Sequence, residues 1–179
     1  MKEVWLTNNR RVDGVLLIVS ILATLLLAWL AWNTDSSVVR RTVSIIAASI
    51  ALLWMLHRLA VFLTPRLAYR NSKLLVYLKG IFPIKVPIDC VEVFFMGQGD
   101  SKLQLADGKA LENSTIVVRL AEAAENWHRV SVNRRLGHWC EGYITIRGAW
   151  CEPINVDTIR RMNESLRKIK QVHAKSGVK

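Results

Sequence analysis

The stretch HWCEGYITIRGAWCEP, residues 138–153, puts one His, two Cys and two Glu into sixteen positions. Imidazole, thiolate and carboxylate are the ligand types of zinc sites, and a Cys beside a His is one pairing of covalent catalysis. Spacing decides between chemistry and scaffold. The chain carries Cys90, Cys140 and Cys151 and four His (His57, His128, His138, His173), with no C-x2-C or H-x3-H spacing. His138 and Cys140 share a strand parity, but a metal site there needs Cys90, Cys151 or an acid from elsewhere. From 139 to 147 the alternation has period two. Cys140, Gly142, Ile144 and Ile146 fall on one face, and Trp139, Glu141, Tyr143, Thr145 and Arg147 on the other. Cys140 then lines up with isoleucines, where a thiol acts as a small hydrophobe. The stretch reads as β-scaffold. Gly97-x-Gly99 lacks the third glycine of a dinucleotide loop, and there is no P-loop or nucleophile elbow. No catalytic residue, metal or cofactor is expected. A membrane-bound enzyme using a Cys/His site is the alternative reading.

The elements that carry these residues begin in a membrane. A chain that is 51% hydrophobic and yet formally +11 fits a small membrane protein with a basic aqueous part. Residues 14–32 (GVLLIVSILATLLLAWLAW) hold no charge, and 42–63 hold none until His57 and Arg58. Both read as transmembrane helices, because a spanning segment must satisfy its backbone hydrogen bonds internally. The first is too long, and too bulky at Trp29 and Trp32, for a cleaved signal peptide. Lys2, Arg10 and Arg11 precede it, and Arg66, Arg70 and Lys73 follow the second. By the positive-inside bias, residues 1–13 are a cytoplasmic segment, 33–41 an external loop, and both termini cytoplasmic at a cell inner membrane; Arg40 and Arg41 oppose this. Arg58 and His57 are close enough to Thr64-Pro65 to snorkel to the headgroups.

Residues 66–179 form one cytoplasmic domain of short strands. Strands are expected around Ser72, with a turn at Lys79-Gly80. In 88–95, Val91, Val93 and Phe95 share a face. GQGD (97–100) reads as a turn, 102–111 as a hairpin with Asp107-Gly108 at its tip, and 121–128 as a short helix. Residues 156–172 form an amphipathic helix capped by Asn155, with Val156, Ile159, Met162, Leu166 and Ile169 on one stripe. The domain has a formal charge of +8 and should be attracted to an anionic leaflet. Candidate surface contacts for membrane or partner are Arg66, Arg70, Arg134, Arg135, Arg160, Arg161, Arg167 and Lys168. Trp127 and Trp139 are either interface anchors or core.

Two helices, short strands and a closing helix, in that order, resemble the bacterial pleckstrin-homology-like membrane proteins. The resemblance rests on TPRLAYRNSKLLVYL (64–78), PIKVPIDCVEVFF (83–95) and VDTIRRMNESLRKI (156–169). It implies a membrane helical hairpin followed by a mainly β (α+β) domain, a curved and partly open sheet capped by the C-terminal helix. That fold hosts lipid binding, peptide binding and scaffolding alike. The expected function is a non-catalytic binding or scaffold protein at the cytoplasmic membrane surface, with lipids and a protein as partners and no nucleic acid.

Overall fold

The computed structural model describes residues 2–33, 38–104 and 110–176. The chain forms two compact units, one from Met1–Asn9 together with Pro65–Lys179, the other from Arg10–Thr64.

The smaller unit is a pair of helices, α1 (Arg10–Trp32) and α2 (Val38–Leu63). Both are long and apolar enough to cross a membrane. Their hydroxyls do not break that character. Ser20 Oγ donates to the Leu17 carbonyl, Thr24 Oγ1 to that of Ser20 and Ser49 Oγ to that of Ile45. Each of these three hydroxyls is satisfied inside its own helix, as hydrocarbon requires.

The larger unit is α+β: two four-stranded antiparallel sheets and a C-terminal helix. Sheet one has the order β1-β2-β3-β4, from β1 (Glu3–Leu6), β2 (Leu67–Arg70), β3 (Lys73–Val76) and β4 (Ile84–Pro87). Sheet two has the order β5-β6-β8-β7, from β5 (Val91–Gln104), β6 (Ala110–Leu120), β7 (Gly137–Cys140) and β8 (Tyr143–Arg147). Helix α3 (Val156–Ser176) follows. Asn155 caps it: Oδ1 accepts from the Thr158 N–H at 2.8 Å. Met162 and Leu166 of α3 are buried in the same cluster as Leu74 and Val86 of sheet one and Ile116 and Ile144 of sheet two. Val156, expected on the buried stripe, is exposed.

The unit contains a strand that lies outside residues 66–179. β1, ahead of the first helix, pairs with β2 after the second, with Glu3 opposite Tyr69 and Val4 opposite Ala68. Trp5 is 3% exposed and Leu6 fully buried. The Trp5 ring stacks on Tyr69 of sheet one at 5.8 Å and meets Phe94 of sheet two edge-on at 5.6 Å. EVWL alternates too briefly to announce a strand, and its partner is more than sixty residues away.

Two face assignments are corrected. Residues 137–147 are a hairpin, since Glu141 and Gly142 take φ of 51° and 76°, the left-handed pair of a tight primed turn. Trp139 therefore sits opposite Ile144 and turns inward with it, while Cys140 sits opposite Tyr143 on the outer face. In β5 the register shifts between Val91 and Val93, a bulge at Glu92. Val91 and Phe94 point inward, and Val93 and Phe95 outward. GQGD is not a turn but part of β5, paired with β6 as Gly97 opposite Thr115 and Gln98 opposite Ser114. Residues 121–128 hold only a three-residue 3-10 turn, Glu125–Trp127. The Asp107-Gly108 tip lies outside the described residues.

Trp5→Ala should destabilise the larger unit by about 3–5 kcal/mol in denaturant titration, the range for deleting a buried aromatic. Trp5→Phe should cost much less, because the buried indole N–H has no hydrogen-bond partner among the described residues. A fragment of residues 66–179 should melt well below one in which residues 1–9 are joined to 65–179 by a flexible linker.

Candidate functional site

The residues of the opening cluster go to different places. Cys140 and His138 are on the outer face of the β7 and β8 hairpin, whereas Cys151 is buried. The Cys151 thiol donates to the carbonyls of Arg147 (3.5 Å) and Gly148 (3.6 Å). Burial pushes its pKa up to about 12, opposed by the Arg66 charge and aided by that of Glu152. A thiol held protonated is no nucleophile. No group of three or more His, Cys, Asp or Glu among the described residues is arranged to hold a metal ion. Trp139 packs inward, donating its indole N–H to the Trp127 carbonyl at 2.6 Å, and its ring stacks on Trp127 at 6.3 Å.

His173, near the end of α3, makes a contact that sequence spacing does not suggest. Its Nε2 lies 3.2 Å from Ser72 Oγ and 3.4 Å from Tyr69 Oη, and its Nδ1 3.7 Å from Asp89 Oδ1. Serine, imidazole and carboxylate in this order are the parts of a hydrolytic relay. Here the carboxylate is beyond hydrogen-bond distance and 75% exposed, so it does not fix the ring as such a relay requires. The cluster ties the end of α3 to the turn between β2 and β3.

The eight candidate cationic contacts divide by burial and partner. Arg66 is corrected: it is 2% exposed and its Nε donates to the Trp150 carbonyl at 2.8 Å. Pairing of β1 with β2 covers it and Trp150 supplies its acceptor, so it belongs to the scaffold. Arg161 is partly engaged. Its Nη2 reaches Glu152 Oε1 at 3.1 Å and the Trp5 carbonyl at 3.5 Å, joining α3 to the N-terminal strand. Arg160 is exposed and faces Asp157 at 3.7 Å. Arg70, Arg134, Arg135, Arg167 and Lys168 are exposed.

One group of these cations is built into a surface with an apolar tip. The Asn133 N–H donates to the Leu78 carbonyl at 2.9 Å, and the Asn133 side chain accepts from the Arg135 N–H at 3.0 Å. These bonds pin the turn bearing Arg134 and Arg135 beside the end of β3, where loop 79–83 starts with Lys79. Phe82 in that loop is 74% exposed. Lys2 joins the same end, its Nζ 5.0 Å from the centre of the Tyr77 ring. Phe82 was legible only as a letter ahead of Pro83. Its exposure in the fold is what singles it out.

In the smaller unit, Asp13 escaped notice because it opens an apolar run. It is 3% exposed and lies within α1, with Oδ1 3.6 Å from Arg58 Nη2 on α2. Arg58, expected to snorkel, is instead 19% exposed and ion-paired across the helices. The signal was available: one acid starts the first helix and one arginine ends the second, at the same end of an antiparallel pair.

Maleimide labelling of the folded protein at neutral pH should modify Cys90 and Cys140 and spare Cys151; equal labelling of all three would contradict the burial of Cys151. Because the folded state keeps the Cys151 proton that the unfolded chain releases near pH 9, stability should fall as pH rises from about 9 towards about 12. Cys151→Ala should remove that part of the slope.

Compared with family models, with curated proteins and with solved structures, the chain gives no match.

Proposed function

We propose that this chain is a membrane-anchored, non-catalytic binding protein. Its α+β domain, of the pleckstrin-homology-like kind that the order of elements resembles, faces the cytoplasmic leaflet. There it touches anionic headgroups through Lys79, Arg134 and Arg135, with Phe82 entering the interface. The observation that carries this reading is the bond from Asn133 to Leu78, which sets a basic turn beside a loop whose phenylalanine is 74% exposed.

Three further facts support it. Residues 1–9 and 65–179 fold as one unit, so a chain that crosses a bilayer twice between them returns to the side it left. The positive-inside bias makes that side the cytoplasm. Each Lys or Arg near an anionic surface contributes about 1 kcal/mol of attraction, and an aromatic ring sits well at headgroup level. The sequence-based list of contacts is thereby reduced. Arg66 and Arg161 act within the fold, and Lys79 and Phe82 are added.

The test places an environment-sensitive fluorophore on Phe82→Cys in the full-length protein, with Cys90 and Cys140 replaced by serine. In nanodiscs containing phosphatidylglycerol its emission should be bluer and brighter than in phosphatidylcholine alone. The difference should shrink in 1 M salt, where the screening length falls to about 3 Å. It should also shrink in Arg134→Glu/Arg135→Glu. Identical emission in both lipids would sink the reading and turn the search to protein partners.

A further inference from the structure

The ion pair of Asp13 and Arg58 stands at one end of a groove of about 600 Å³ between α1 and α2. The groove runs from Leu16 to Leu27 on one helix and from Arg58 back to Ala47 on the other. Twelve residues on each side, eleven steps, give a length of about 16 Å at ~1.5 Å per residue. That is about half of a ~30 Å hydrocarbon core, the depth of one leaflet. Its space comes from the short side chains of Ala23, Ala47 and Ala51, and Trp54 lines it.

The lining is apolar except for Ser20, whose hydroxyl is bonded within α1, and Arg58. Arginine stays charged in proteins and carries five donors. The Nη2 of Arg58 is buried without a hydrogen-bond partner among the described residues, the Asp13 oxygen at 3.6 Å being beyond bonding range. An unsatisfied N–H in hydrocarbon is costly. Arg10 and Arg11 occupy the first turn of α1 just ahead of Asp13.

An apolar channel one leaflet deep, with a cation under-supplied with acceptors at one end only, has the polarity of a lipid. We propose that it holds one acyl chain of an anionic phospholipid, whose phosphate oxygens bond Arg58. A helix from a second copy would fit the apolar length but would bring no acceptor to Arg58. This site is independent of the Phe82 loop: its occupant lies along the helices, and its readout is Trp54 rather than a label on the domain.

The experiment uses the full-length protein in nanodiscs, with phosphatidylglycerol or phosphatidylcholine carrying brominated acyl chains, which quench nearby tryptophan. The Trp54 contribution is the difference from Trp54→Phe. At equal mole fraction, brominated phosphatidylglycerol should quench Trp54 several-fold more effectively than phosphatidylcholine. Asp13→Asn/Arg58→Gln removes both charges together, so neither is left buried and unpaired, and it should abolish the preference. Ala51→Leu fills the groove with both charges in place and should lower quenching by either lipid. Equal quenching by the two lipids, or a preference that survives in Asp13→Asn/Arg58→Gln, would overturn the proposal. So would an Ala51→Leu protein that keeps its quenching but loses a cross-linked dimer, which would assign the groove to a second copy.

Discussion

The pairing of β1 with β2 is the contact on which the larger unit depends. It joins residues on either side of the two apolar helices and makes them one folded body. Trp5 enters the core through that pairing, bridging Tyr69 on one sheet and Phe94 on the other. Arg66 is covered by it, and Arg161 reaches across α3 to the Trp5 carbonyl. Further bonds fasten the same segment: Thr7 Oγ1 donates to Glu152 Oε2 at 2.9 Å, and Asn9 Nδ2 to the Ala149 carbonyl at 3.0 Å. Core formation here requires the segments on both sides of the helical insert to come together in one folded body.

That constraint sorts the positive charge of the domain. A net charge describes attraction to a surface, but it does not say which cations are free to act. Arg66 is enclosed, Arg161 is drawn to Glu152, and Arg119 pairs with Glu92 at 2.9 Å on the outer face of sheet two. Exposed cations include those of α3, of the turn between β2 and β3, Lys85, Arg129, and the edge bearing Lys79, Arg134 and Arg135. That last edge adjoins a loop whose Phe82 ring is 74% exposed.

The helical pair follows the same logic in a different solvent. In hydrocarbon a lone ionisable side chain is expensive, so Asp13 and Arg58 meet across the two helices. Small residues beside them shape a groove along the helix pair. A polar end and an apolar length then arise from the ordinary requirement that buried charge be compensated.

Much of this was legible in the residues. Long charge-free runs announce two spanning helices because 3.6-residue periodicity is irrelevant where every face is apolar. The stripe through Met162 and Leu166, with Asn155 ahead of it, announces α3 because helix faces and caps are local properties. The faces of Trp139 and Cys140 were inverted, and those of Val93 and Phe95 with them. A strand's alternation is readable only until a turn or bulge intervenes, and Glu141-Gly142 and Glu92 each change the count by their backbone geometry. The sequence by itself determined the two apolar helices, the closing amphipathic helix, several of the strands, and the excess of basic charge. The tertiary structure alone decided that residues 3–6 complete a sheet begun at 67, that Asp13 meets Arg58, and that Phe82 stays outside. Those outcomes depend on partners tens of residues away, and a one-dimensional pattern carries no record of distance in space.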